Sequence, residues 1–267
     1  MKNDEIIIFR LAQIDDAEKL VEIYAPYVKN TNITFEYEVP TIDEFKQRIT
    51  KIMSKFPYIV ACIGDEIVGY TYASTFRERQ AYNWCVETSI YINEKYQGRK
   101  IGEFLYTKLE AILKLQNITN LVASITYPNP QSIAFHEKFN YKKIAHFTKC
   151  GYKQNCWYDM VFMEKMINEH LVPAKEIIYL PDLDKNLVEK TRHRHAPARI
   201  RACRHRTADR HVARDPRSVC PDGLHASGRQ RRGTPRRFHA LADRAVPRAE
   251  RPDRSRFSRT AHSASHR

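Results

Sequence analysis

Residues 87–102, which read ETSIYINEKYQGRKIG, join a strand-like segment to a glycine-containing loop. Residues 89–92 are rich in β-branched and aromatic side chains, as strands are. After residues 97–102, apolar residues recur at helical spacing, so the loop opens a helix. The first amides of a helix lack partners within it, and the helix dipole favours an anion there. With the charges of Arg99 and Lys100, the pattern predicts a phosphate-binding loop; a basic helix start in any α/β protein is the alternative.

The excess positive charge of the chain lies at one end. The 267 residues carry a formal charge of +14, yet residues 1–190 hold 24 Lys and Arg against 25 Asp and Glu. Residues 191–267 hold 21 Arg, no Lys and six acidic residues. The residue vocabulary changes at the same point, from Ile, Lys, Asn, Tyr and Phe to Arg, Ala, His, Pro and Ser.

This break predicts three parts, a folded domain at 1–170, a linker at 171–190 and a tail at 191–267. The tail shows no apolar periodicity and is predicted to be disordered, because it cannot bury enough apolar surface to offset its chain entropy. A fused or out-of-frame extension would explain the change of composition. The alternative is a genuine arginine-rich arm that binds nucleic acid.

Cysteine spacing and hydropathy exclude several classes. The six cysteines form no C-x-x-C pair and no zinc spacing, so no metal site is expected. The apolar run at the N-terminus is too short for a signal peptide, and no stretch is long enough to cross a membrane. We expect a cytoplasmic protein without a membrane partner.

Alternating strand and helix patterns predict a mixed α/β sheet of about seven strands, flanked by helices. Asp15 or Asp16 is expected to cap the first helix, Thr41 and Glu44 form a capping box for the second, and Ser132 is expected to cap a short one. The predicted strands are 6–11, 58–63, 67–75, 89–92, 121–126, 141–147 and 157–166, and the predicted helices end near residues 28, 55, 116 and 139.

The loop resembles the pyrophosphate loop of the GCN5-related N-acetyltransferases (GNAT), Gln/Arg-x-x-Gly-x-Gly/Ala. Gln97 and Gly102 match this pattern, whereas Lys100 replaces a glycine and would be strained if that position needs an unusual backbone angle. Over residues 6–168 the chain resembles the phosphinothricin N-acetyltransferase family of this superfamily, although Asn140 stands where the family has Gly. The matching residues are Ile23-Tyr24, Thr34-Phe35-Glu36, residues 79–84 with Glu87, Asn129, Ser132, His136-Glu137, Tyr141, Gly151-Tyr152-Lys153 and Trp157-Tyr158-Asp159.

The resemblance implies the GNAT fold, with a mixed and mostly antiparallel sheet, and acetyl-CoA as co-substrate without a metal. It implies acetyl transfer to the amine of a small amino-acid-like substrate, by direct attack in a ternary complex, in an enzyme that is usually a homodimer. The competing hypothesis is a nucleic-acid-binding protein that uses the arginine-rich tail and keeps the acetyltransferase-like body as a scaffold; otherwise no nucleic-acid partner is expected.

The same resemblance assigns roles to individual residues. Glu87 would take the ammonium proton, and His136 would protonate the departing thiolate; an ordinary strand glutamate and a partly buried histidine that bonds a carbonyl are the alternatives. Substrate recognition would fall to Phe35, Arg79 and Tyr82, where Arg79 could instead be a solvated charge. The predicted acetyl-CoA contacts are the backbone of Ile90, Tyr91 and Ile92, the loop residues Gln97, Gly98, Arg99, Lys100, Ile101 and Gly102, and the residues Asn129 and Ser132.

Overall fold

A computed structural model of the chain describes residues 4–188 and the backbone of residues 198–201. This part contains eight strands and four α-helices that matter for the site. They are β1 (Asp4–Leu11), α1 (Ala17–Asn30), α2 (Ile42–Met53), β2 (Tyr58–Ile63), β3 (Glu66–Thr75), β4 (Cys85–Ile92), α3 (Ile101–Leu115), β5 (Asn120–Tyr127), α4 (Pro130–Lys138), β6 (Lys142–Lys153), β7 (Cys156–Met166) and β8 (Ala198–Arg201). In the described part of the chain, no helix is long and apolar enough to cross a membrane.

The strands form one sheet in the order β6-β7-β5-β4-β3-β2-β1-β8. All neighbouring strands run antiparallel except β4 and β5, which are parallel. Parallel neighbours need a crossover connection, and α3 supplies it between β4 and β5. The predicted mixed, mostly antiparallel sheet is confirmed, with the seven expected strands and β8 at one edge.

Helices cover both faces of the sheet, and each face has its own apolar core. On one face α3 buries Leu105, Leu109 and Leu113 against the sheet. On the other face α1 and α2 bury Leu20 and Ile49 with a group of strand tyrosines. Residues that alternate along β4 therefore point alternately at the α3 side and at the α1–α2 side.

Local signals predicted the starts of α1 and α2 and placed the start of α4 too late. The capping box of Thr41 and Glu44 is present at α2. Asp16 is the N-cap residue of α1, as predicted, but its carboxylate makes no capping bond to that helix; it binds the Arg10 guanidinium at 2.6 and 2.7 Å and the Gln13 amide. Ser132 does not cap α4; Asn129 does, and Pro130 takes the first helical position, where a missing N–H costs nothing.

Four residues of the tail pair with β1, as β8 (Ala198–Arg201). The rest of the tail, with all of its other arginines, lies outside the described residues, and the disorder predicted for the tail stays a prediction.

Candidate functional site

β4 and β5 pair only over their first residues and then separate. The parallel register joins Cys85 to Asn120, Val86 to Leu121 and Glu87 to Val122. Beyond that point β4 stays paired with β3, and β5 stays paired with β7. The facing edges of residues 88–91 and 123–127 thus present backbone N–H and C=O groups to the gap, where a ligand can bond them.

The gap opens into a cleft of about 460 Å³. Its walls include Ile90 and Ile92 of β4, the loop residues Gln97, Gly98 and Lys100, and Gly102 of α3. A smaller cavity of about 70 Å³ lies at the fork itself, between residues 88–91 of β4 and 123–126 of β5. The predicted phosphate loop and the predicted backbone contacts of β4 therefore line one continuous opening.

Two residues of the loop, Gly98 and Lys100, have left-handed backbone conformations. Gly98 has φ +74°, which glycine adopts without strain. Lys100, the N-cap of α3, is also left-handed at φ 61°, and for a residue with a Cβ this conformation costs about 1–2 kcal/mol. The position does need an unusual backbone angle, so Lys100, which replaces the family's glycine, is strained there. Its side chain lines the cleft.

Arg99 does not face the cleft, contrary to the prediction that its charge adds to the loop. The guanidinium Nη2 lies 2.5 Å from Glu5 Oε2 on β1, and the Arg99 side chain is only 10% exposed. It also lies over the Tyr96 ring, at 5.3 Å from the ring centroid. The loop thus offers an anion the Lys100 side chain and its own amides, and the Arg99 charge is already paired with Glu5.

Tyr27 of α1 reaches the cleft, a contact that the sequence did not suggest. Its hydroxyl donates to the Ile92 carbonyl at 2.6 Å and accepts from the Ile92 amide at 3.3 Å. Gln97 Nε2 donates to the same hydroxyl at 3.2 Å. Tyr27 thereby occupies the backbone groups of Ile92 that were predicted to bind the cofactor, whereas Tyr91 turns its ring to the other face, 4.9 Å from Tyr24.

Asn129 and Ser132 lie together at the mouth of the gap. Asn129 Oδ1 accepts the Ser132 amide at 3.1 Å, which fixes the start of α4. Both residues line the large cleft as well as the cavity at the fork. The structure brings these two predicted cofactor residues to the site.

His136 is 4% exposed and has partners at both ring nitrogens. Nδ1 lies 2.8 Å from the Ser132 carbonyl, which can only accept, so Nδ1 carries the proton. Nε2 lies 2.9 Å from the Tyr106 hydroxyl, whose oxygen is 3.1 Å from Thr88 Oγ1 at the fork. Burial lowers the pKa of His136, against the opposing effect of the Ser132 carbonyl, so the ring is neutral near pH 7.

The lowered pKa of His136 makes stability depend on pH. In the unfolded chain a histidine titrates near about 6.5, whereas the buried ring resists the proton. Its contribution to stability is therefore complete above the unfolded pKa and is lost as the pH falls below it. In urea unfolding, the parent should exceed His136→Gln in free energy of unfolding at pH 7.5, and this difference should shrink by pH 5.5. A difference that stays constant between these pH values would contradict the assignment.

Glu87 stands at the last paired position before the strands separate. Its side chain is half-buried. Because residues alternate along β4, Glu87 points to the same side of the sheet as Tyr91, the side of α1 and α2. Burial raises the pKa of Tyr72 on that side, and the negative charges of Glu87 and Glu36 add to the shift. Glu87 thus sits between the fork and the loop that carries Phe35 and Glu36.

The three predicted substrate residues do not come together. Phe35 packs against the β6–β7 hairpin, with its ring centroid 6.4 Å from that of Tyr158. Arg79 is exposed before a short 3₁₀ helix. Tyr82 is 42% exposed and lines a separate cavity of about 740 Å³ at the starts of β4 and β5. Among the three, Phe35 belongs to the loop between α1 and α2, the helices that cover the Glu87 side of the sheet.

A family model described as an acetyltransferase (GNAT) domain matches residues 9–162, which is more than half of the chain. The chain belongs to the GNAT acetyltransferase family. Phosphinothricin N-acetyltransferase of Streptomyces viridochromogenes is 28% identical over 156 residues, which cover 58% of this chain and 85% of that protein. The L-methionine sulfoximine/L-methionine sulfone acetyltransferase of Salmonella typhimurium is 25% identical over 165 residues, 61% of this chain and 96% of that one.

A GNAT superfamily phosphinothricin acetyltransferase from Sinorhizobium meliloti, solved in complex with AcCoA, has the same fold with a TM-score of 0.61. It is 30% identical, and the match covers 66% of this chain and 97% of that one. The chain is therefore an N-acetyltransferase, as its sequence predicted. Among the described residues, no group of three or more His, Cys, Asp and Glu side chains could hold a metal ion.

Proposed function

We propose that this enzyme transfers the acetyl group of acetyl-CoA to the amine of a small amino-acid-like substrate, of the phosphinothricin or methionine sulfoximine type. The observation that carries the proposal is the gap between β4 and β5. It joins the start of α3 at one end to Glu87 at the other. The named activities of the relatives supply the class of substrate.

The proposed cofactor path follows the lining of the gap. The pyrophosphate would lie on the first-turn amides of α3 and beside Lys100, where the helix dipole favours an anion. The pantetheine arm would bond the free edge of β4 at Ile90, whose backbone groups point away from β3. The Asn129 amide lies where the arm passes from the large cleft to the fork. The walls of this path would be formed by Gly98, Ile101, Gly102 and Ser132.

The proposed reaction is a direct transfer between two bound substrates. Glu87 removes a proton from the ammonium group, and the free amine nitrogen attacks the thioester carbonyl carbon. The N–C bond forms, the nitrogen gives up a second proton and the C–S bond breaks. The coenzyme A thiolate leaves and takes up one proton, so the products are the N-acetyl amide and the free thiol. Backbone amides at the open edge of β4 would stabilise the charge that grows on the carbonyl oxygen.

His136 as the source of the thiolate's proton stays a prediction, and the geometry sets one condition for it. The His136 ring is neutral and its Nε2 is bonded to Tyr106. With its proton on Nδ1, the neutral ring accepts at Nε2 from the Tyr106 hydroxyl, so it has no Nε2 proton to give. His136 and Tyr106 both line the cavity at the fork, and the ring would have to gain a proton at Nε2 before it could protonate the thiolate there.

Substrate recognition by Phe35 is part of the proposal, because Phe35 and Glu87 lie on the same side of the sheet. Arg79 and Tyr82 lie on the segment before β4, and Tyr82 lines a different cavity, so their contact with a substrate carboxylate stays a prediction. Arg48 is a cation on the same face: its guanidinium pairs with Glu36 at 2.7 Å, and its positive charge opposes the rise in the pKa of Tyr72.

We also propose a homodimer in the cytoplasm. β6 is an end strand of the sheet, and Ile144, Phe147 and Trp157 of the β6–β7 hairpin are each more than half exposed. A second copy could cover them, and sedimentation equilibrium of the parent against Phe147→Glu would test this. In the described part of the chain the thiols of Cys62, Cys85 and Cys150 are free, which supports a reducing compartment, whereas the disulfide at Cys156 argues against one.

A thiol-release assay over a panel of amino acids and analogues tests the proposed function. Acetyl-CoA turnover that depends on phosphinothricin or methionine sulfoximine would support it. The competing hypothesis of nucleic-acid binding makes a different prediction. Salt-dependent DNA binding that disappears when the chain is ended at residue 190, with no acetyl transfer to any amine, would select that hypothesis instead.

The strain at Lys100 gives a prediction with two readouts. Lys100→Gly should raise the free energy of unfolding by about 1 kcal/mol, because glycine adopts the left-handed conformation freely. It should also raise KM for acetyl-CoA roughly threefold, since an exposed charge contact contributes about 0.5–1 kcal/mol. Lys100→Gln is the control, which keeps the strain and loses only the charge. Equal stability of the parent and Lys100→Gly would contradict this account.

A further inference from the structure

The β6–β7 hairpin holds the loop between α1 and α2 through a buried lysine. Lys153, the last residue of β6, is 3% exposed. Its ammonium donates to the Val28 carbonyl at 2.7 Å and to the Thr34 carbonyl at 2.7 Å. One cation thus ties the end of α1 to the loop that carries Phe35.

Both acceptors are groups that need a partner. Val28 lies in the last turn of α1, where carbonyls have no helical donor and the helix dipole is negative. The Thr34 carbonyl belongs to the peptide bond that leads into Phe35, in a segment without regular secondary structure. Removing the ammonium would leave both carbonyls without this donor, and the peptide before Phe35 would lose its fixed orientation.

Gly151 makes room for the Phe35 ring two residues earlier on the same strand. A Cβ at Gly151 would lie 2.2 Å from Phe35 Cε2 and 2.3 Å from Cζ, so any side chain there must displace the ring. The hairpin also contacts the loop at Tyr152, whose carbonyl accepts the Tyr37 hydroxyl. Gln154 Nε2 donates to the Lys29 carbonyl at 3.3 Å.

We propose that Lys153 and Gly151 are positioning residues that fix Phe35 at the amine-binding side of the site and thereby set the affinity for the amine. The inference rests on the proposed function, in which Phe35 contacts the substrate. Gly151-Tyr152-Lys153 is one of the motifs that match the family, but none of its residues was predicted to belong to the site. The inference gives this motif a role in binding the amine. The effect should be larger for the amine, because Ile33 is the one residue of this loop in the lining of the large cleft, whose other walls are Tyr27, β4, residues 96–103 and the start of α4.

Steady-state kinetics of two variants test the proposal. Lys153→Met keeps the length of the side chain and removes the cation; Gly151→Ala keeps the cation and displaces the ring. Each should raise KM for the amine about tenfold or more, since a misplacement of about 1 Å can cost up to about 10²-fold. KM for acetyl-CoA should change less than threefold in both. Lys143→Met, an exposed lysine on the same strand, is the control and should match the parent.

Two further measurements separate positioning from general destabilisation. Gly151→Ala should have no additional effect in a Phe35→Ala background, because the ring that it displaces is absent. Hydrogen exchange in Lys153→Met should accelerate at residues 31–37 and stay unchanged in β3 and β4. Equal increases in both KM values, or unchanged exchange at residues 31–37, would overturn the inference.

The same experiment distinguishes this inference from the proposed function. If the parent transfers acetyl groups to an amine and Lys153→Met leaves KM for that amine unchanged, the positioning role is wrong and the function stands. If the parent releases thiol with no amine of the panel, the proposed function fails and this inference fails with it.

Discussion

Glu87→Gln is expected to reduce turnover near neutral pH by about 10²-fold or more, the usual contribution of a general base. The physical reason is that an attacking amine is mostly protonated at this pH and must lose its proton before it can attack. Glu87 stands at the last paired position of β4 and β5, where the gap begins. The measurement is kcat as a function of pH, with KM for acetyl-CoA expected to stay nearly unchanged.

The pH profile decides between a base and a binding group. If Glu87 is the base, the deficit of Glu87→Gln shrinks as the pH rises toward the pKa of the amine, because solvent then removes the proton. A profile that matches the parent, with only weaker amine binding, would mean that Glu87 orients the ammonium group instead.

Glu164→Gln is a matched control for the change of charge. Glu164 lies opposite Val122, which itself pairs with Glu87, so the two glutamates occupy the same row of the sheet on either side of β5. Glu164 is also half-buried, and it accepts the Asn120 side chain at 2.7 Å. It should lose little activity, since it lies one strand away from the gap.

Gly98→Val is expected to raise KM for acetyl-CoA by roughly 10–100-fold, with much less effect on KM for the amine. The left-handed backbone of Gly98 at φ +74° costs a non-glycine residue about 1–3 kcal/mol, and more when it is β-branched. A Cβ at Gly98 would meet no atom within 4 Å, so strain and not collision would shift the loop. Steady-state kinetics with each substrate varied in turn give the measurement.

Gly64→Val is the control variant, because it introduces the same kind of backbone strain at a position outside the proposed acetyl-CoA site. Gly64, in the turn between β2 and β3, also has a positive φ of +56° and open space around its Cβ. Both variants should lose similar stability in thermal unfolding, and only Gly98→Val should affect acetyl-CoA. An equal rise of both KM values in Gly98→Val would argue against pyrophosphate binding by this loop.

Features specified by neighbouring residues were predictable from the sequence alone. The capping box of Thr41 and Glu44, the β2–β3 hairpin around Gly64 and the helix after residue 100 all form as expected. Each depends on side-chain periodicity, capping chemistry or backbone preference within a few residues. The order of several short motifs identified the family in the same way, because each motif is local.

The partners of individual side chains depended on contacts between distant parts of the chain. Arg99 binds Glu5, Tyr27 binds Ile92, and Lys153 binds the Thr34 carbonyl, across separations of 65–119 residues. Sheet register and burial decide such pairs, and no local pattern encodes them. Arg99 looked like a phosphate ligand because its neighbours along the chain form the loop. Its direction was set by β1, which the sheet places where its guanidinium can reach Glu5.

The sequence by itself determined the family, the loop that begins α3, the position of Glu87 on its strand and the position of Asn129 just after β5. Only the tertiary structure decided which side chains face the gap between β4 and β5. It turned Arg99 away, placed Tyr82 at a different cavity and enclosed His136 between Ser132 and Tyr106. The reason is that a site is formed where separate elements meet, and a side chain's direction there follows from packing on all of them.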